Sequence, residues 1–508
     1  MKISFSQKSV TLYLLPLLAL ILIIVNPLEE YPSVTRMMAV VFLMAGWWIS
    51  EAVPIAITSL IPIILFPVLG IMDGGQTAMQ YFNDVIFLFM GGFIIALALE
   101  KWDLHLRIAY RALLFFGSKP FRILLGFMVT SSALSMWISN TATAILMFPI
   151  ALSVIREMEH IHGKENLVRF KIGLLLGIAY SCSIGGIATL IGTPPNLALV
   201  AIFEKMYPDG PSISFGNWMI FALPVYILQL GMAALVLFTL FSPPVQSRGA
   251  FRKYIKEEHA KLGKTTYEQK WIFFLFMMFA LLLIFKNDLS VGRITLPGWS
   301  RIFRNPEFLK DGTIAILIAT MLFIIPSLTQ PGNRLMDWQS AVKLPWGIIL
   351  LFGGGFALAK GSVESGLTGW LGGLMSGLAD TPPLVFIGIN ASLMAFLTEF
   401  TSNISTSQIL LPVIAALSES VRINPLFLMI PVTVASSFAF MLPIATPPNA
   451  IIFGSGHLRI RNMILPGLIL NITGIIIVSI VMYFWGTTVF EIEPSQFPNW
   501  AIRDLINP

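Results

Sequence analysis

The sequence predicts an all-α polytopic membrane protein: about 11 transmembrane helices in two inverted repeats, with two re-entrant hairpins and two broken helices. Three observations lead there. Hydrophobic residues make up 56% of the chain and charged residues 11%, whereas soluble domains carry roughly 25% charged residues. Apolar runs repeatedly reach the ~20 residues a spanning helix needs. One apolar stretch, Ser135 to Pro149, carries five uncharged polar side chains (Ser135, Ser139, Asn140, Thr141 and Thr143), which are costly in hydrocarbon unless partnered. That stretch recurs. Thr398 stands to Ser135, Ser402-Asn403 to Ser139-Asn140, and Pro412 to Pro149, all at an offset of 263 (398 − 135). The same offset relates Leu88-Phe-Met-Gly-Gly-Phe93 to Leu351-Phe-Gly-Gly-Gly-Phe356. Several matches at one offset mark an internal duplication.

In chain order, Val10 to Val25 is the first span; it is long for a signal-peptide core and no small-residue cleavage site follows it. Met37 to Trp48 and Val53 to Leu69 form a pair joined by Ser50-Glu51-Ala52. Val85 to Leu99 follows, with Gly91-Gly92 allowing close helix approach and Asp84 read as the cap of its first turn. Lys101 to Arg111 is short and amphipathic, suited to lie along the interface. Phe121 to Ile138 and Ala142 to Ile155 flank the first polar tip; arms this short fit a re-entrant hairpin. A charged loop, Arg156 to Lys171, holds the solvated His160 and His162. Ile172 to Ile184 leads through Gly185-Gly186 to Thr193-Pro-Pro-Asn196.

Trp218 to Phe241 is a long span, and Gln246 to Lys270 is a strongly charged loop linking the repeats. Trp271 to Phe285 and Thr313 to Ile325 are further spans. The second repeat holds Gly347 to Ala359, the Leu384 to Ile414 hairpin, Leu426 to Ile444 and Thr446-Pro-Pro-Asn449. Met463 to Trp485 closes the chain. Eleven crossings place the termini on opposite sides. With the N-terminus cytoplasmic and the C-terminus outside, most of the 32 Lys and Arg fall in inside loops. An odd count also inverts one repeat relative to the other. The net charge of +6, spread over such loops, reads as orientation and not as a nucleic-acid surface. A single cysteine, Cys182, excludes a disulfide framework and a cysteine metal cluster.

The polar stretches carry the chemistry. Threonine caps helix N-termini, and proline is tolerated in a first turn because its missing N–H has no partner there. Thr193-Pro-Pro-Asn196 and Thr446-Pro-Pro-Asn449 therefore read as helices restarting in mid-span. Ser139-Asn140 and Ser402-Asn403 start the second arm of each hairpin. Four N-termini, each carrying about half a positive charge, offset about two negative charges, which suits a dianion. Carbonyls freed at the breaks, with the oxygens of Ser135, Asn140, Thr398 and Asn403, make neutral oxygen cages for a hard monovalent cation such as sodium.

These residues resemble the divalent anion/sodium symporter family, whose members move dicarboxylates, tricarboxylates or sulfate. The resemblance covers almost the whole chain and rests on the two Ser-Asn tips and the two Thr-Pro-Pro-Asn breaks in order. It implies a homodimer in the inner (cytoplasmic) membrane, each protomer an elevator with scaffold and transport parts. The implied organisation is scaffold helices at 1–80 and a first repeat at 81–242, with hairpin 121–155 and break 185–196. A linker at 243–270 and scaffold helices at 271–343 follow, then a second repeat at 344–462 with hairpin 384–420 and break 445–449, and the last helix and tail at 463–508. One implied sodium site uses Ser135, Ser139, Asn140 and Gly192; the other uses Thr398, Thr401, Asn403 and Ala445. Implied substrate contacts are Ser139, Asn140, Thr141, Thr193, Ser402, Asn403, Thr446 and Pro447. No cofactor is implied beyond sodium as coupling ion. The chain departs from the family's second Ser-Asn-Thr at Ile404, where an apolar branch replaces a hydroxyl.

The resulting expectation is sodium-coupled symport of a small dicarboxylate of the succinate, malate or fumarate class. A sodium-independent exchanger is the alternative, but would need a fixed cation in place of the cages, and none lies at 135–141 or 398–406. Sodium-coupled citrate or sulfate transport is the other. An enzyme is disfavoured: Gly454-Ser-Gly-His457 puts Ser and His on one short segment with no acid to orient the histidine. Glu399, an acid inside the second hairpin, is expected to fix the hairpin or to couple ions.

Overall fold

Apolar runs become helices because a spanning backbone must satisfy its own polar groups. In the computed structural model, residues 7–117, 119–242, 250–291, 294–374, 382–494 and 496–502 are described. Among them, eight helices are long and apolar enough to cross a membrane and six shorter apolar helices accompany these. Helix starts follow local capping chemistry. Ser214 accepts from the Asn217 N–H at 3.1 Å, and Thr266 forms a full capping box with Gln269. The helix Asp84–Lys101 is capped by Asn83, which accepts from Ile86 N–H at 3.2 Å. Asp84 was the expected cap; instead its carboxylate accepts from Gly312 N–H at 3.1 Å and ties two helices together.

Several expected boundaries move. The run from 53 to 69 is not one span but two pieces, Ile55–Thr58 and Ile61–Leu69, with Pro54 and Pro62 each opening a new helical start. The first hairpin's arms are Pro120–Ser135 and Asn140–His162. The second arm has 23 residues, so it is not short. The expected loop 156–171 is helical, and the helix Lys164–Ile187 follows after Gly163 alone. Gly163 has φ +82°, a left-handed value glycine reaches without steric cost, so one residue turns the chain between two helices. His160 is exposed, on a helix rather than a loop.

The linker expected as loop at 246–270 contains the helix Ala250–Lys261; residues 243–249 lie outside the described part. This helix packs on Leu104–Phe116. The short amphipathic segment therefore starts at Leu104 and turns Arg107 inward, 2% exposed. The Arg107 guanidinium donates to Gln269 Oε1 at 3.0 Å and to the carbonyls of Gly263 at 2.9 Å and Leu262 at 2.8 Å. The all-α expectation needs one amendment: Leu289–Val291 and Ile294–Leu296 form a two-stranded antiparallel sheet, with Leu289 opposite Leu296.

The second hairpin's arms are Pro383–Thr398 and Asn403–Ser420. The first broken helix resumes at Pro194–Met206, leaving 188–193 as the break, so Gly185-Gly186 remains helical. The second is Pro425–Ala435, then Pro447–Gly454, and its break opens at 436, nine residues before the expected 445. Two hydrophobic cores form. One joins residues 85 to 501; the other joins the N-terminal helices to Leu351, Ala357, Leu358 and Leu367. Helix Trp346–Glu364 feeds both cores, and Ile404 packs against both.

Candidate functional site

The two polar tips fold alike. In the first, the buried Ser135 hydroxyl lies 2.5 Å from Asn140 Oδ1 and 2.8 Å from the Cys182 carbonyl. In the second, Thr398 Oγ1 lies 2.5 Å from Asn403 Oδ1 and 3.2 Å from the Ser436 carbonyl. Each triad has three oxygens and one hydroxyl proton. One proton satisfies one acceptor fully, so lone pairs converge. Converging neutral oxygens are the ligands that hard cations take.

Ser139 caps the arm Asn140–His162, accepting from Ala142 N–H at 3.2 Å, and Thr446 caps Pro447–Gly454, accepting from Asn449 N–H at 3.4 Å. Thr193 and Ser402 occupy the corresponding N-cap positions with no side-chain cap bond. The expected threonine cap is thus made at Thr446 and not at Thr193. At Ser402 the first-turn amides take no side-chain cap, which leaves them for an anion at the helix start; at Thr193 the first two helical residues, Pro194 and Pro195, have no N–H, and the Asn196 N–H bonds the Thr193 carbonyl at 3.2 Å.

Asparagine locks both breaks. Asn196 Nδ2 donates to the Thr189 carbonyl at 2.7 Å and the Gly186 carbonyl at 3.1 Å. Asn449 Nδ2 donates to Ala439 at 2.9 Å and Leu442 at 3.0 Å. These pairs share an offset of 253 (449 − 196 and 439 − 186). Gly186 lets the first site close up: a Cβ there would stand 2.9 Å from Asn140 Oδ1 and 3.2 Å from Thr193 Cβ and the Gly192 carbonyl. Ser135, Asn140, Gly192 and Thr193 are therefore brought together. Thr401 is not joined to the Thr398–Asn403 pair; it lies 2.5 Å from Thr406 Oγ1 and donates to the Leu397 carbonyl at 2.8 Å. Ala445 donates its N–H to Leu442, inside its own break. Thr141 is half-buried beside the first tip, and Pro447 opens the last restart.

Tertiary packing crosses the halves. Pro447–Gly454 packs on the first hairpin's arm Asn140–His162, and Pro194–Met206 packs on the second hairpin's arm Asn403–Ser420. Tyr180 of the first broken helix stacks edge-on with Phe440 of the second break at 5.2 Å. Each half's restart helix is thereby packed on the other half's hairpin arm. Sequence reasoning missed the Cys182 and Ser436 carbonyls, because a backbone oxygen leaves no trace in residue identity. Of the two expected uses of Glu399, its bonds match the fixing of the hairpin. The carboxylate accepts from Met441 N–H at 2.9 Å, Leu442 N–H at 3.0 Å and Asn471 Nδ2 at 2.7 Å, fixing the hairpin to the second break.

Residues 7–492 match the family model described as the sodium:sulfate symporter transmembrane region. The chain belongs to this family. It is 40% identical to the sodium-dependent dicarboxylate transporter SdcS of Staphylococcus saprophyticus, over 90% of this chain and 87% of that protein. It is 36% identical to the human Na(+)/dicarboxylate cotransporter 3, over 100% and 96%, and 36% identical to the rat Na(+)/citrate cotransporter, over 99% and 98%. In fold it is similar to the crystal structure of the Alcanivorax borkumensis YdaH transporter (TM-score 0.56, 13% identity, 84% of this chain and 90% of that one). Family and relatives are transporters, not enzymes, and this chain is a multi-pass membrane protein.

Proposed function

We propose that this protein carries out sodium-coupled symport of a small dicarboxylate of the succinate, malate or fumarate class. The observation that carries the reading is the pair of oxygen triads, Ser135–Asn140–Cys182 carbonyl and Thr398–Asn403–Ser436 carbonyl, with each half's restart helix packed on the other half's hairpin arm. Sodium ions take the triads, with Ser139 and Gly192 completing the first site and Thr401 and Ala445 the second. The dianion takes the helix starts through Ser139, Asn140, Thr141, Thr193, Ser402, Asn403, Thr446 and Pro447. Thr401 enters only if its bond to Thr406 opens on ion binding. No Lys or Arg within either tip replaces sodium, which argues against the sodium-independent exchanger. The names of relatives similar over nearly the whole chain agree with the ion and the substrate class.

We infer further that the halves are inverted repeats and that the part carrying both tips moves as an elevator. Reciprocal packing of each restart helix on the other half's hairpin supports the repeat relationship. The protomer works as a homodimer with its N-terminus cytoplasmic. The test is uptake of labelled succinate into proteoliposomes. A sodium gradient should drive accumulation and an equal potassium gradient should not; equal uptake in both sinks the sodium reading. A second reading, citrate as the preferred anion, is raised by the citrate-named relative. Citrate outcompeting succinate would select it.

A further inference from the structure

Two glycines stand at equivalent places in the halves, Gly92 and Gly355 (355 − 92 = 263), and the role given to them here rests on the elevator reading of the proposed function. Their neighbours Gly91 and Gly354, at the same offset, show what an unchanging contact looks like. A Cβ at Gly91 would stand 2.6 Å from the Ala315 backbone, and one at Gly354 would stand 2.5 Å from the Ser59 backbone. Gly91 presses one helix backbone against another, and Gly354 presses its helix against the turn after Ile55–Thr58.

One residue further on, the halves differ. Gly92 faces the Ile191 side chain of the first break, with room for a methyl group at 3.6 Å. Gly355 faces the Gln408 amide of the second hairpin, and a methyl group there would overlap it. Ile191 and Gln408 are not counterparts. The counterpart of Gln408 is Ile145 (408 − 263), and that of Ile191 is Ile444 (444 − 253). Burial follows the same division. Gln408 is 0% exposed and Ile191 9%, while Ile145 is 58% and Ile444 72% exposed. Moreover, neither amide atom of Gln408 has a hydrogen-bond partner among the described residues, so this seat buries a polar group at a cost.

We propose that Gly92 and Gly355 are seats whose occupants exchange between the two transport states. In the state described here, the first break (Ile191) sits on Gly92 and the second hairpin (Gln408) on Gly355. In the opposite state the first hairpin (Ile145) sits on Gly92 and the second break (Ile444) on Gly355. Each residue now exposed gains a seat, and Gln408 leaves one that gives its amide no partner. Ile191 adjoins Gly192 and Ile444 adjoins Ala445, so whichever break is seated is held next to its ion ligand.

Two glycine-to-alanine substitutions then act in opposite senses. Gly355→Ala overlaps Gln408 in the present state but leaves room beside an isoleucine, so it drives the opposite state. Gly92→Ala fits beside Ile191 now but would collide with a hairpin residue seated as Gln408 is, so it holds the present state. The readout is maleimide labelling of detergent-solubilised single-cysteine proteins in a Cys182→Ser background: Ile145→Cys, Ile444→Cys and Ile191→Cys, with Gln408 retained so that its overlap with the Gly355→Ala methyl group is kept. With Gly355→Ala, labelling at 191 should rise about tenfold, as a state populated below about a tenth becomes dominant, and labelling at 145 and 444 should fall together. With Gly92→Ala, 145 and 444 should stay reactive and 191 protected, with or without sodium and succinate. A rise at 191 with no response at 145 and 444 overturns the exchange. Gly92→Ala leaves the present packing intact, so its result stands even if Gly355→Ala fails to fold. Succinate uptake by the wild-type protein in a sodium gradient reports separately on the transport reading: uptake without exchange sinks the seats alone.

Discussion

Glu399 and Leu442 are joined side chain to backbone, Oε2 accepting the Leu442 N–H at 3.0 Å. Their counterparts Met136 (399 − 263) and Thr189 (442 − 253) are joined the other way round, the Thr189 hydroxyl donating to the Met136 carbonyl at 2.5 Å. The same link between hairpin and break is built once from the break's side chain and once from the hairpin's. Glu399 therefore acts as a structural acceptor. Glu399→Gln keeps one acceptor and turns an amide N–H toward a backbone donor, which should cost about 1–3 kcal/mol of stability. Asn471→Ala removes one of three donors and should cost less. Thermal melting in detergent checks the order. Wild-type melting with abolished uptake would instead make Glu399 a coupling group.

Removing either triad's amide should cost ion affinity. Asn140→Ala and Asn403→Ala each delete an oxygen held 2.5 Å from its hydroxyl partner. Each variant should raise the sodium concentration for half-maximal uptake by about tenfold, the equivalent of 1.4 kcal/mol, while remaining folded in the membrane. Normal uptake at low sodium in either variant rejects the ion-site assignment.

The Ile404 departure has a direct test. Ile404→Thr adds a hydroxyl donor at the second tip, and one hydrogen bond to a charged group is worth roughly 1.5–3 kcal/mol. It should change the ranking among succinate, citrate and sulfate, whereas Thr141→Ile should weaken all three. Ile404 packs against both hydrophobic cores, so Ile404→Thr should also lower the melting temperature. Competition against one labelled substrate measures the ranking; an unchanged order would mean that position 404 serves packing alone.

Arg107 holds the linker by bonds to three carbonyl or amide oxygens. Lysine cannot reproduce a planar fork of donors. Arg107→Lys should free the segment after the helix Ala250–Lys261 and speed trypsin cleavage at Lys261 and Lys264. Unaltered digestion would show that the helix docks through its apolar side alone.

Acid should loosen a different tie. Lys101 Nζ lies 2.6 Å from Asp337 Oδ2, and this hydrogen bond, with the Ser340 backbone N–H, pulls the Asp337 carboxyl down to about 2. A depressed folded-state value means the contribution is present above the unfolded value near 4 and is lost as pH falls from there toward 2. The melting temperature of the wild type should therefore approach that of Asp337→Asn across this interval and exceed it slightly at pH 6. Parallel curves would show that the pair contributes nothing.

The sequence alone determined class, duplication and chemistry, because each leaves a mark in residue identity. Apolar runs specify helices in a medium without water, Ser135-to-Pro149 repeats at a fixed offset, and a threonine before two prolines favours the opening of a helix. It also placed Ser135 with Asn140 and Thr398 with Asn403, five positions apart across a tight turn. Tertiary structure alone decided what depends on distant backbone. The third oxygen of each triad is a carbonyl of Cys182 or Ser436, and every residue carries one. Asn83, not Asp84, caps its helix because Gly312 claims the Asp84 carboxylate. The second break opens at 436 rather than 445, with Glu399 holding its amides in place. Which glycine faces Gln408 and which faces Ile191 likewise depends on how the two halves dock, and two copies of one pattern cannot encode the difference between them.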